Sequence, residues 1–125
     1  MGRAHVERAL PPLVRAVARE GRPVLWVCDP MHGNTTTTAS GHKTRSFDDI
    51  LAELEAAFAL HDATGTHLGG VHFELTGEDV TECLGGASGV TEADLSRAYD
   101  TLCDPRLNHA QALELAFLLA RRMRR

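Results

Sequence analysis

The sequence predicts an α/β fold assembled from βα units with parallel strands, and three observations carry that prediction. An apolar run, Val24 to Cys28, stops abruptly at Asp29-Pro30 and is followed at once by His32 and Gly33. That is the pattern of a buried strand delivering polar side chains into the loop at its C-terminal end. A second stretch, about Gly70 to Leu75, alternates Val71, Phe73 and Leu75 with His72 and Glu74, so its polar face must meet something polar. Segments of helical period follow, and Gly-containing loops lie after each strand. Only these two strands are convincing, and two parallel strands alone would leave edge N–H and C=O groups exposed. The chain is therefore expected to hold about half of a larger sheet, with residues 1–125 as one partial domain.

In order along the chain, Leu10, Leu13, Val14 and Val17 recur at helical spacing, with Pro11 and Pro12 expected in the first turn and Gly21 as the stop. After the strand, residues 33 to 46 read as a long loop rich in hydroxyls, carrying Lys43 and Arg45. Ser46 then caps a helix with Asp49 at the capping-box position; Phe47, Ile50, Leu51, Leu54, Phe58 and His61 share one face, and Gly65 closes it. Beyond the second strand a loop from Thr76 to Gly89 leads to a helix capped by Thr91 with Asp94, whose stripe is Leu95, Ala98, Tyr99 and Leu102. Asp104-Pro105 breaks that helix, and Asn108 caps a last one whose apolar content, from Ala110 to Leu119, suggests burial on more than one side.

A net charge of -4 and the absence of a basic stripe with interleaved aromatics give no reason to expect a nucleic-acid partner. The terminal Arg121 to Arg125 reads as the last turn of a helix, where cations complement the macrodipole. No apolar run reaches the roughly 18 residues needed to span a bilayer, and no signal-peptide pattern opens the sequence, so no membrane partner and a cytoplasmic location are expected. Three cysteines, Cys28, Cys83 and Cys103, without CxxC spacing argue against a disulfide scaffold or a zinc ribbon.

His32, Glu74 and Asp104 each follow or end an apolar segment, and a mixed imidazole and carboxylate set suits a divalent cation of the Mn²⁺, Co²⁺ or Fe²⁺ kind. Spacing alone leaves capping or hydrogen-bonding roles open for all three. Lys43 and Arg45 flank a hydroxyl and can cradle a phosphate, or form a solvated basic pair. His72 with Glu74 is either a proton-handling pair or a structural one, and Lys43 and His72 are the candidate catalytic residues. His5, His42, His61, His67 and His109 have no spacing that requires function.

Five stretches in order resemble one family. They are Cys28-Asp-Pro-Met-His-Gly-Asn-Thr35, Lys43-Thr-Arg45, Gly69-Gly-Val-His-Phe-Glu-Leu-Thr-Gly77, Val80-Thr-Glu-Cys-Leu-Gly-Gly86, and Cys103-Asp-Pro-Arg-Leu-Asn108 with Glu114-Leu-Ala-Phe117. Together they are similar to class II 3-deoxy-D-arabino-heptulosonate 7-phosphate (DAHP) synthase, the enzyme type that opens the shikimate pathway towards chorismate and the aromatic amino acids. The resemblance implies a TIM (β/α)₈ barrel of which this chain is the C-terminal portion, about two βα units, and a condensation of phosphoenolpyruvate with erythrose 4-phosphate. It implies Mn²⁺ or Co²⁺ held by His32, Glu74 and Asp104, and substrate phosphate held by Lys43 with Arg45 contributing. The family's cysteine ligand and its phosphoenolpyruvate-binding arginine, glutamate and lysine residues have no counterpart here. The expected partner is accordingly an N-terminal synthase portion or another copy of the chain; the alternative is a truncated, non-catalytic remnant that binds metal or a synthase subunit.

Overall fold

The computed structural model describes residues 1–123, and Arg124 and Arg125, expected in the last helical turn, lie outside the described residues. The chain forms two compact units, Met1–Asn34 with Asp49–Phe73, and Thr35–Asp48 with Glu74 onward. Its elements are α1 (Arg3–Arg19), β1 (Trp26–Cys28), β2 (Thr35–Thr37), β3 (Lys43–Arg45), α2 (Phe47–Thr64), β4 (Leu68–Val71) and α3 (His109–Met123), with short 3₁₀ turns between.

The first unit is a βαβ arrangement. β1 and β4 pair in parallel, Trp26 opposite Leu68, Val27 opposite Gly70 and Cys28 opposite Val71, with a register irregularity after Trp26. Both strands are shorter than expected, and the alternation read from 70 to 75 stops at Val71. Leu75, expected to share a strand face with Val71 and Phe73, lies beyond the strand and is 52% exposed. The strand ends at Val71 because its partner β1 ends opposite it, at Cys28, and Gly69 is skipped in the register between Leu68 and Gly70.

α1 begins at Arg3, eight residues before the first proline, so Pro11 and Pro12 lie in its interior rather than its first turn. Interior prolines cost a helix about 3 kcal/mol. Burial of Val6, Leu10 and Val14, spaced four apart along one face, offsets that cost. Gly21 stops the chain at φ 62° as expected. α2 buries Ile50, Leu54, Ala57 and His61 and also an unexpected carboxylate, Glu53, 2% exposed. Glu53 accepts the Asn34 Nδ2–H at 2.7 Å and the Gly2 N–H at 3.1 Å. Gly33 is required here, because a Cβ would stand 2.2 Å from the Gly2 nitrogen.

In the second unit the stretch expected to be a loop is a hairpin. β2 and β3 pair antiparallel, Thr35 opposite Arg45 and Thr37 opposite Lys43. Four consecutive threonines favour extended backbone, and Gly41 at φ 85° turns the chain. Bridges from Ser46 to Leu84 and from Leu75 to Leu107 tie the remaining segments together. The expected helix after Thr91 is a 3₁₀ turn, Glu92–Arg97; the Asp94 carboxylate accepts the Thr91 N–H at 2.9 Å, and Leu95 is fully buried.

α3 opens with a reciprocal cap: the Gln111 N–H donates to Asn108 Oδ1 at 3.0 Å and the Asn108 N–H to Gln111 Oε1 at 3.1 Å. The expected burial on more than one side is absent. Leu115 is buried while Leu113 and Phe117 are 58% and 57% exposed, and Leu102, expected in an apolar stripe, is fully exposed.

Candidate functional site

In the first unit the site begins where β1 ends. Asp29 Oδ1 accepts the N–H groups of Met31 at 3.0 Å and His32 at 3.2 Å, folding the chain back in the manner of an Asx turn. Its other oxygen lies 2.7 Å from His32 Nδ1. Burial alone would raise the Asp29 pKa, but the two N–H groups and the imidazole outweigh it and hold the carboxyl below its ordinary value. His72 follows β4, fixed by its N–H to the Cys28 carbonyl at 2.8 Å. Its ring centroid stands 6.0 Å from that of His32. Ligand atoms of Asp29, His32 and His72 fall within 4.8 Å of one another.

In the second unit the hairpin presents two cations to two carboxylates. Lys43 Nζ lies 3.2 Å from Asp104 Oδ1, with the lysine side chain half exposed. Arg45 is fully buried. Its Nε donates to Thr35 Oγ1 at 2.8 Å, and its Nη1 to the Pro105 carbonyl at 2.6 Å and to Glu74 Oε2. Nη2 is buried with no hydrogen-bond partner. Carboxylate oxygens of Glu74 and Asp104 lie within 4.8 Å of each other. Two like charges so close, each beside one cation, form a donor set suited to a hard or intermediate divalent ion.

Sequence reasoning missed Asp29 and Tyr99. Asp followed by Pro and then by His three positions on is a turn signal that could have flagged Asp29 as a partner of His32. Tyr99 carried no such signal. Its Oη–H donates to the Lys43 carbonyl at 2.8 Å and its ring packs edge-on against His42, bracing the lysine end of β3. The cysteines are unpaired. Burial pushes the Cys28 and Cys83 thiols up to about 12, which makes both poor nucleophiles.

Comparison with known proteins matches residues 1–120 to the Class-II DAHP synthetase family. The chain is 53% identical over 124 residues to the phospho-2-dehydro-3-deoxyheptonate aldolase AroG of Mycolicibacterium smegmatis, covering 99% of this chain and 27% of that protein. It is 54% identical over 120 residues to the phospho-2-dehydro-3-deoxyheptonate aldolase of Streptomyces coelicolor, covering 96% and 27%. The chain thus spans about a quarter of the length of these curated relatives.

Proposed function

This chain belongs to the class-II DAHP synthetase family, and from that premise we propose that it carries the C-terminal catalytic part of a 3-deoxy-7-phosphoheptulonate synthase. The reaction would join phosphoenolpyruvate to erythrose 4-phosphate, with water consumed and DAHP and phosphate released. The observation that carries the reading is the pairing of Lys43 with Asp104 and Arg45 with Glu74, because it gathers the residues of the resemblance's separate motifs at one hairpin. The parallel β1–β4 pair linked through α2 supports placement as the last strands of a TIM barrel, whose C-terminal strand ends bear the active site.

His32, Glu74 and Asp104 are the proposed ligands of a divalent ion, for which the mixed donor set suits Mn²⁺, Co²⁺ or Fe²⁺ and the family resemblance implies Mn²⁺ or Co²⁺. Such an ion supplies Lewis acidity that polarises an aldehyde oxygen. Lys43 is proposed to hold substrate phosphate: its exposed ammonium can leave Asp104 once a cation neutralises that carboxylate. Arg45 holds Glu74 in place from a fully buried position, so the phosphate contact that the resemblance implies for it is secondary to that of Lys43. His72, beside His32, is the proposed proton-handling residue.

The alternative reading is a non-catalytic remnant that binds metal or a synthase subunit. DAHP formation from both substrates and Mn²⁺ separates the two readings. The chain is assayed alone and with the upstream portion of the mycobacterial relative, with His32→Ala as control. His32-dependent activity, alone or on complementation, is the expected result. No activity in either setting, with no association, would leave the remnant reading.

A further inference from the structure

We infer that Glu53, acting through Asn34, is a positioning residue that sets where the loop after β1 holds His32. The inference rests on the proposed role of His32 as a metal ligand and gives a task to two residues outside that ligand set. Both are buried, Glu53 at 2% exposure and Asn34 at 9%, although His32 two positions before Asn34 is exposed. Polar side chains are costly to bury unless their hydrogen bonds are made, and a network so satisfied holds the chain in one arrangement.

The bonds tie the loop to both helices of the first unit. Asn34 Nδ2 donates to the Pro30 carbonyl at 2.8 Å, closing the turn that carries His32, and to Glu53 Oε2 at 2.7 Å, which fastens that turn to α2. Asn34 Oδ1 accepts the Arg3 N–H at 2.8 Å. Both Glu53 oxygens lie 3.1 Å from the Gly2 nitrogen, so the same pair grips the start of α1. Gly33, next to His32, lies too close to Gly2 for any side chain. The backbone under His32 therefore cannot slide without breaking buried bonds, whatever its ring meets. Ligand groups have to be held to within about 0.5 Å, and loss of an outer support typically lowers metal affinity by about 10–100-fold.

Glu53→Gln leaves one acceptor oxygen where two served. Val14→Ala is the control for a merely structural role: Val14 is buried on α1, and its truncation weakens the same unit by leaving a cavity without touching the loop. The full chain and these variants, with His32→Ala, would be titrated with Co²⁺ by calorimetry and visible absorbance at a temperature where circular dichroism shows them folded. Amide exchange of residues 31–34 would be followed in the metal-free chains. The expected result for Glu53→Gln is about 10-fold weaker Co²⁺ binding, a changed absorbance spectrum at saturation and faster exchange in the loop. Val14→Ala should lower the thermal midpoint and leave affinity and spectrum as in the wild type. Glu53→Asp, one methylene shorter, is read in the same way and decides the matter if Glu53→Gln does not fold.

Wild-type affinity and spectrum in the Glu53 variants would overturn the inference while loss of binding in His32→Ala kept the ligand reading intact. Equal weakening in Val14→Ala would overturn it too, by showing that general stability rather than the loop sets affinity. No binding by the wild type, or binding by His32→Ala equal to wild type, would remove the ligand reading and this inference together.

Discussion

Glu82 shows how much one buried carboxylate can organise. Its Oε1 accepts the Asp100 N–H at 3.2 Å and Arg106 Nη2 at 2.7 Å, while Oε2 accepts the Arg106 N–H at 2.8 Å and Nε at 3.0 Å. Burial pushes its pKa up, but the Arg106 guanidinium and the two N–H groups outweigh that and hold it below the ordinary 4.5. A depressed pKa contributes stability that is present above the ordinary value and lost as pH falls through the folded one. Glu82→Gln is expected to cost about 1–3 kcal/mol in urea unfolding at neutral pH, and the gap to wild type should narrow on acidification. A gap independent of pH would show that the ionised form does not matter. None of this was legible beforehand, since Thr81-Glu82-Cys83 reads as ordinary loop and burial of an acid depends on where Arg106 arrives. His32, Glu74 and Asp104 were singled out because each stands at the end of an apolar run, where a change of polarity is visible in one dimension. Asp29, adjacent to such a run, was passed over because its partner is set by a turn rather than by a period.

The elements divide in the same way. α2 was read correctly because eighteen residues give the helical period room to repeat, and the Thr91 and Asn108 caps because their partners lie three positions on. The β2–β3 hairpin was missed because its strands are three residues each, too short for any period, and because its threonines suit loops as well as strands. α1 was begun too late because local rules place prolines early, whereas the buried row of Val6, Leu10 and Val14 decides the matter through packing. The α3 cap is a clean place to measure such local terms. Asn108→Ala removes the acceptor for the Gln111 N–H and the donor to the Val80 carbonyl at 3.0 Å. A loss of about 1–2 kcal/mol in chemical denaturation is expected, with faster amide exchange confined to the first turn of α3. Uniform acceleration of exchange would instead mean that the cap supports the whole unit.

At the scale of the molecule, both units leave apolar side chains in water. Leu25 and Val27 in the first unit are 74% and 53% exposed, as are Leu113 and Phe117 in the second at 58% and 57%. Among the described residues β1 also pairs on one side only, with β4. No described helix is long and apolar enough to cross a membrane. Exposed apolar surface beside an open strand edge favours association. The isolated chain is therefore expected to self-associate with rising concentration in sedimentation experiments. Leu113→Glu with Phe117→Glu should reduce that association, and a monomer at all concentrations in the unmodified chain would refute the expectation. The reading of about half a sheet came from counting edges, which needs no coordinates. Which helix faces stay bare could not be counted, because apolar residues look alike in sequence whether or not anything covers them.

The two cation–carboxylate pairs on β3 also differ in how they meet dissolved ions. Lys43 and Asp104 face solvent, where charges are screened over about 8 Å at physiological ionic strength. Arg45 is itself fully buried where it meets the partly exposed Glu74, so bulk salt screens that pair less. Raising the salt concentration therefore loosens Lys43 more than Arg45, so a single strand holds one contact that yields to the composition of the medium and another that resists it.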